Sequence, residues 1–120
     1  MGKVDKPKAV IQRYFQRVDA NDIDGLIQLF AADAVYERPG YEPMSGAEAL
    51  RHFYTHERVI ASGQHNIEHV VVEGDWACAW GSFSGLSRDG AELQERWCDV
   101  YQFLDSKICH RRTHFFRAAV

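Results

Sequence analysis

Three side chains suited to acid–base or anion-binding chemistry stand in otherwise apolar parts of this sequence. Asp99 lies within the run WCDVYQF, Tyr14 lies in an N-terminal segment with helical spacing, and Arg38 ends the strand-like stretch AVYERPG. A carboxyl group can transfer protons, a phenol can donate a hydrogen bond to an oxygen that gains charge, and a guanidinium binds anionic oxygens. A buried carboxyl costs several kcal/mol unless it is paired, so we expect Asp99 to belong to a functional site.

The charge state of Asp99 depends on what surrounds it. Burial favours the neutral acid, whereas a guanidinium within about 4–6 Å favours the carboxylate. If Asp99 contacts Arg38, we expect a carboxylate that serves as a base or as half of a structural ion pair. If the two do not touch, we expect a neutral acid beside a cation that awaits an anionic substrate group. Glu37 precedes Arg38 but faces the opposite side of a strand, so we do not expect it to take part.

The first sixty residues favour three helices around one short strand. Apolar residues recur at helical spacing in segments 6–20, 20–33 and 45–60, and the second of these apolar faces includes Phe30. Asp22 suits an N-cap. Ser45 followed three residues later by Glu48 predicts a capping box at the start of the third helix.

The rest of the chain favours four long strands joined by short turns. The strand-like runs are 65–73, 76–86, 92–104 and 108–116, and the turns between them contain GD, SRDG and DS. We therefore predict one α+β domain over residues 1–120. Its three N-terminal helices pack on one face of a curved, mostly antiparallel sheet, a cone-shaped α+β barrel that encloses a pocket.

Composition excludes several classes of function. The net charge of −3 and the pI of about 6.0 argue against a nucleic-acid partner. No apolar run is long enough for a membrane span, and the first residues lack a signal-peptide pattern. The odd number of cysteines without CxxC spacing indicates reduced thiols in a cytoplasmic protein. His65 and His69 lie about 13 Å apart on a strand, so we expect no metal and no cofactor.

Most of the chain resembles a ketosteroid isomerase-like, or SnoaL-like, member of the nuclear-transport-factor-like superfamily. The likeness rests on an RY pair in the first helix, the NDIDG turn, LFAADA, a strand that ends in Pro, EPMSG, FY and WCDVYQF. In ketosteroid isomerases a tyrosine and a protonated aspartate form an oxyanion hole, and Tyr14 and Asp99 match those positions. Tyr54 matches a tyrosine that hydrogen-bonds the catalytic one. Arg38 stands where the general-base aspartate would be.

The same superfamily includes limonene epoxide hydrolase, which uses an Asp–Arg–Asp set. The run ERWCDV is similar to a strand of that enzyme but has one more residue between Arg96 and Asp99, so these two should face opposite sides. The second aspartate would fall near Thr113, so the triad is not reproduced. Arg38 or Arg111 could take the place of its arginine.

The resemblance implies two functions. The first is a cofactor-free acid–base enzyme (an isomerase, a cyclase or an epoxide hydrolase) that acts on a small apolar ring or polyketide-like substrate in secondary metabolism. The alternative is a non-catalytic ligand-binding or accessory module, and an open cavity would favour catalysis. A homodimer through the exposed sheet face is also implied. The expected catalytic residues are Asp99, Tyr14, Arg38 and Tyr54, and the expected substrate-binding residues are Phe53, Trp80, Trp97, Arg111, Thr113 and Phe115.

Overall fold

The computed structural model describes residues 6–117 and places three helices against one six-stranded sheet. The helices are α1 (Pro7–Asp19), α2 (Ile23–Ile27) and α3 (Gly46–His52), and α3 continues into a π-helical turn over Phe53–Glu57. The strands are β1 (Phe30–Glu37), β2 (Met44–Ser45), β3 (Ile60–Glu73), β4 (Trp76–Ser87), β5 (Glu92–Leu104) and β6 (Lys107–Phe115). The predicted α+β architecture is confirmed.

The sheet is curved but open. Its strand order is β2-β1-β6-β5-β4-β3, and every neighbouring pair is antiparallel except β1 and β6, which run parallel. The edge strands β2 and β3 do not pair in the described part of the chain, so the predicted cone-shaped barrel is formed by a curved, unclosed sheet. The concave side is closed by α1 over β3 and by α3 over β1.

Short turns set the register of the meander that carries the site. Asp105 and Ser106 both have positive φ, +50° and +66°. This is the conformation of a two-residue hairpin turn whose twist matches the flanking strands. The turn pairs Leu104 with Lys107, and a bulge at Cys109 then shifts the register by one residue, so that Asp99 pairs with Thr113 and Tyr101 with Arg111. Cross-strand partners face the same side of a sheet, so four polar side chains converge on the inner face.

Two local predictions about the helices were wrong. The second helix is only five residues long, and Phe30 begins β1 instead of extending the apolar face of α2. Ser45 is the N-cap of α3, but its side chain makes no capping hydrogen bond, so the expected capping box is absent. Asp22 does cap α2, because its carboxylate accepts from the amide of Gly25 at 3.0 Å.

The core lies between the helices and the inner face of the sheet. Alternate residues of β4 and β5 point inward, and the most deeply buried large side chains include Tyr14, Tyr36, Tyr101 and Phe53. Asp99 is only 1% exposed and lies among these aromatic residues. No helix within residues 6–117 has the length and apolar character needed to cross a bilayer.

Candidate active site

A cavity opens between the helices and the inner face of the sheet, beside Asp99. With its mouth included, its empty space is about 430 Å³, but the centre of a water molecule can occupy only about 20 Å³ of it, which is room for little more than one water molecule. A ring-sized ligand therefore needs small adjustments of the lining side chains. Besides Tyr14 and Tyr54, the aromatic part of the lining consists of Phe15, Phe83, Trp97 and Phe115.

Asp99 is held by three hydrogen-bond donors. Its Oδ2 accepts from Tyr101 Oη and from Arg111 Nη2, both at 2.9 Å, and its Oδ1 accepts from Thr113 Oγ1 at 2.7 Å. Asp99 and Arg111 therefore form an ion pair that is almost completely buried. A carboxylate offers about four acceptor positions. Oδ1 consequently keeps one position for a water molecule or a substrate hydroxyl.

Arg111 connects this carboxylate to a pair of tyrosines. Its Nη1 donates to Tyr14 Oη at 2.5 Å and to Tyr54 Oη at 3.1 Å, and the two tyrosine hydroxyls share a short hydrogen bond. Burial alone would lower the pKa of Arg111, but Asp99 and the neighbouring tyrosine oxygens outweigh it and hold the pKa well above its usual range. Arg111 is therefore a permanent cation at the centre of the site.

The tyrosine pair supplies a hydrogen-bond donor to the cavity. Burial raises the pKa of Tyr14 well above that of an exposed phenol and raises the pKa of Tyr54 as well, although Arg111 opposes both shifts. Both groups thus stay protonated. When Tyr54 donates to Tyr14, the proton of Tyr14 is left for a ligand oxygen in the cavity. This contact agrees with the pairing that the resemblance implies for these two residues.

Arg38 is linked to Asp99 through the hydroxyl groups of Tyr36 and Thr113. Its Nη1 donates to Tyr36 Oη at 2.9 Å, and Tyr36 Oη lies 2.8 Å from Thr113 Oγ1, which donates to Asp99. Burial raises the pKa of Tyr36, but Arg111 and Arg38 together outweigh it, and the pKa is lowered overall. Arg38 is 8% exposed and lines the cavity between the rings of Phe53 and Phe115.

Neither of the two arrangements expected for Asp99 and Arg38 occurs as stated. Asp99 is paired, but its partner is Arg111 and not Arg38. Strand alternation explains the difference, because Arg111 lies next to Asp99 and Thr113 on the inner face of neighbouring strands. Glu37 faces away from the cavity, as expected, and its Oε2 lies 2.5 Å from His110 Nε2.

Two of the expected substrate-binding residues lie outside the cavity. Trp80 stacks on His69 on the outer face of the sheet, because its neighbours Ala79 and Gly81 take the inward positions of β4. Phe53 is fully buried beneath the guanidinium of Arg38 and belongs to the core. The others line the cavity as expected: Trp97, Arg111, Thr113 and Phe115.

Three ionisable residues of the lining were not expected from the sequence: Arg58, His65 and Glu95. His65 Nδ1 lies 2.6 Å from Asp19 Oδ1, and the imidazole packs against Phe15 and Phe83. Burial lowers the pKa of His65 although Asp19 opposes the shift. The ring is therefore neutral, and because Nδ1 donates to Asp19, Nε2 is its acceptor. The partner lies 46 residues earlier, and no local motif joins the two.

The other side chains of interest are the possible metal ligands and the thiols of Cys78 and Cys98. Residues 6–117 contain no cluster of three His, Cys, Asp or Glu side chains that could hold a metal ion. Cys78 and Cys98 alternate with the inward residues of β4 and β5, and their Sγ atoms lie 3.5 Å apart. Burial and the contact with Cys78 raise the pKa of Cys98 to about 12, so its thiol is a poor nucleophile at neutral pH.

Comparison with known proteins agrees with this architecture. The family model of the SnoaL-like domain matches residues 11–111. The chain is similar to SalBIII, an epoxide hydrolase/cyclase-like enzyme of pyran ring formation in the polyether salinomycin, with 19% identity, a TM-score of 0.79, and coverage of 90% of this chain and 88% of that chain. It is also similar to an LEH-like epoxide hydrolase of M. tuberculosis, with 16% identity, a TM-score of 0.77, and coverage of 89% and 80%.

A third similar structure is an NTF2-like protein of unknown function from Burkholderia pseudomallei, with 16% identity, a TM-score of 0.78, and coverage of 90% of this chain and 88% of that chain. At these identities the structural likeness shows the fold alone, and the function must be argued from the site. The family model, however, spans most of the chain from α1 into β6. The chain therefore belongs to the SnoaL-like domain family.

Proposed function

We propose that this chain is a cofactor-free acid–base enzyme that acts on a small molecule held in the cavity. The observation that carries the proposal is that a carboxylate with one remaining acceptor position, Asp99, and a neutral hydroxyl donor, Tyr14, line the same cavity and share the cation Arg111. Isomerisation, ring closure and epoxide opening all require such a pair. Each needs a base for one proton and a donor for an oxygen that gains negative charge.

Each polar residue has a role in this reaction. Asp99 Oδ1 accepts a proton from the substrate or from an attacking water molecule. Tyr14, hydrogen-bonded to Tyr54, donates to the oxygen that becomes negative, and Arg38 polarises or binds a second oxygen. Arg111 holds Asp99 and Tyr14 in a fixed relative position because it donates a hydrogen bond to both. A low-dielectric cavity strengthens all these interactions relative to water.

The aromatic lining supports a flat, largely apolar ring as the body of the substrate, such as a polyketide-like molecule of secondary metabolism. Aromatic faces bind ring-shaped ligands through offset or edge-on contacts, and Phe83, Trp97 and Phe115 offer such faces. Two similar structures carry the names of an epoxide hydrolase and an epoxide hydrolase/cyclase-like enzyme. Ring closure and epoxide opening are therefore the reaction classes to test first.

A panel of neutral ring compounds tests the proposal without knowledge of the natural substrate. Cyclic ketones in D₂O are followed by NMR for exchange of the protons next to the carbonyl, and small cyclic epoxides are followed for hydrolysis. We expect the protein to accelerate at least one of these reactions. Asp99→Asn and Tyr14→Phe should each lower that rate roughly 10²–10⁴-fold, the usual contribution of one acid–base group.

Matched variants separate catalysis from folding. Asp33→Asn replaces an exposed carboxylate of β1, and Tyr41→Phe replaces a tyrosine outside the cavity, so both should keep the wild-type rate. An acceleration that survives both Asp99→Asn and Tyr14→Phe would contradict the proposal. Tight binding of panel compounds without any turnover would instead support the non-catalytic ligand-binding module, for which the three hydrogen bonds on Asp99 already supply a structural role.

A further inference from the structure

Arg58 lines the cavity as a buried cation and has no anionic partner among residues 6–117. It follows the π-helical turn, is 8% exposed, and belongs to the same lining as Asp99 and Tyr14. Its guanidinium lies 6.0 Å from the ring centre of Tyr54. Within residues 6–117, none of its guanidinium nitrogens is hydrogen-bonded or ion-paired, and none is sealed off from the cavity and solvent. Those nitrogens are thus available to a ligand.

The surroundings of Arg58 disfavour its positive charge. Burial lowers the pKa of its guanidinium, and the neighbouring charge of Arg38 lowers it further, while the opposing influences come from the hydroxyls of Tyr14, Tyr54 and Tyr36. Burying a charge without a partner is costly. A ligand that supplied the opposite charge would offset this cost.

The charges of the other lining residues also favour an anionic ligand. Three guanidinium groups, those of Arg38, Arg58 and Arg111, face two carboxylates, Asp99 and Glu95. Asp99 is paired with Arg111, and Glu95 is paired with Arg117, an exposed residue beyond the lining. Among the described lining residues, guanidinium groups therefore outnumber carboxylates, and a guanidinium fork matches a carboxylate in geometry as well as in charge.

We propose that Arg58 binds a carboxylate of the substrate, so that the natural substrates are small ring-bearing carboxylic acids in their anionic form. This assignment rests on the proposed function, because it names the substrate class of the same cavity. The carboxylate pairs with the Arg58 guanidinium, and the apolar remainder of the molecule contacts the aromatic lining.

The test compares 2-naphthoate with 2-naphthamide, which has the same shape but no charge, by isothermal titration calorimetry. We expect the acid to bind wild-type protein about ten- to hundredfold more tightly than the amide, the range for a charge-assisted hydrogen bond. Arg58→Met should abolish this preference, and Arg58→Lys, which keeps the charge, should retain part of it. Arg112→Met, a change of an exposed arginine on β6, should leave the preference unchanged.

Thermal unfolding of the free protein provides a second readout. Arg58→Met removes a buried cation that has no anionic partner in the described part of the chain, so the melting temperature of the variant should equal or exceed that of the wild type. A clear fall in melting temperature would mean that Arg58 serves the fold, and would overturn the proposal. So would equal affinity for acid and amide, a lack of naphthoate binding, or a preference that survives in Arg58→Met.

The outcomes separate this proposal from the proposed function. Turnover of neutral ketones or epoxides that depends on Asp99, without preference for naphthoate, would uphold the enzyme and overturn the anion site. An Arg58-dependent preference for naphthoate in a protein without acid–base turnover would uphold the anion site alone.

Discussion

For single residues such as Asp99, the sequence predicted a functional role but not which side chain forms the ion pair. A carboxyl in the run WCDVYQF already indicated a site, and the resemblance matched Tyr14 and Tyr54 to a hydrogen-bonded pair that the structure contains. Which arginine pairs with Asp99 depends on the register of β5 and β6. That register is a tertiary property, and the sequence therefore left both Arg38 and Arg111 open.

Arg58 and His65 escaped sequence analysis for a related reason. Arg58 stands at the end of a helical segment where an arginine is ordinarily solvated, and its burial follows from the way the π-helical turn ends. His65 was considered only as a metal ligand with His69. Its true partner, Asp19, is brought to it by the packing of α1 on β3.

Breaking the Asp99–Arg111 ion pair should destabilise the fold strongly. Arg111→Met leaves a buried carboxylate without its cation, and we expect the free energy of unfolding to fall by about 3–5 kcal/mol. The double variant Asp99→Asn with Arg111→Met removes both charges and should lose less than the single variant. Urea unfolding measures both values, and losses that simply add would show that the two groups do not act as a pair.

Acidification should destabilise the protein through His65. Burial holds its pKa in the folded chain below that of an exposed imidazole, so the unfolded chain takes up this proton first as the pH falls. The stability that the neutral His65 ring contributes is fully present above about pH 6.5, the usual imidazole pKa. It is lost as the pH falls toward the pKa of His65 in the folded chain.

The His65→Asn variant isolates this effect. It keeps a donor toward Asp19 but cannot titrate, so its unfolding free energy should depend less on pH in that window. His56→Gln, a change of an exposed imidazole, should keep the wild-type dependence. Identical pH profiles for wild type and His65→Asn would refute this account of the buried ring.

At the level of elements, strand alternation was predictable and the helix limits were not. The inward positions of β5 alternate along the strand, whereas the alternation of β6 is interrupted by the bulge at Cys109. Beyond that bulge Arg112 faces solvent, while Arg111 and Thr113 face inward. The same rule, applied to β4, would have placed Trp80 outside, because small residues flank it. From the sequence alone, Phe30 could extend the apolar face of a helix or begin a strand. The pairing of β1 with β6 places it at the start of a strand.

Gly81 is required by the close approach of β3 and β4. A Cβ at this position would overlap the backbone oxygen of Asn66 and lie 3.1 Å from the Trp97 ring. Gly81→Ala should therefore lower the free energy of unfolding by about 1–3 kcal/mol, the usual effect of overpacking. Ser62→Ala, an exposed change on β3, should be nearly neutral in the same denaturant titration. If Gly81→Ala leaves the free energy of unfolding unchanged, β3 can move away from the added methyl group at little cost, and glycine is not required at this position.

At the level of the whole molecule, the outer face of the sheet is unusually apolar for a surface. Val71, Trp76 and Trp80 are between 36% and 51% exposed, and Trp80 pairs across the strands with Cys98. Exposed apolar patches of this kind favour protein association. The homodimer implied by the resemblance would cover this face, and it stays a prediction.

Analytical ultracentrifugation tests the homodimer. We expect a particle of twice the chain mass of 13.8 kDa, and we expect Trp80→Glu to shift it to the monomer by placing a charge in the apolar interface. Val59→Glu, which also changes an exposed apolar residue but not one of the sheet, should leave the dimer intact. A monomeric wild type at micromolar concentration would rule out this assembly.

The central claim is that Tyr14 and its neighbours stabilise negative charge on a ligand oxygen in the cavity. The most direct measurement is the visible absorbance of 4-nitrophenol, whose phenolate is yellow, titrated with protein one pH unit below the pKa of the free phenol. We expect the bound probe to be ionised, Tyr14→Phe to return it toward the neutral form, and Tyr41→Phe to leave it ionised. Binding as the neutral phenol, or an ionised probe that is indifferent to Tyr14→Phe, would contradict the central claim.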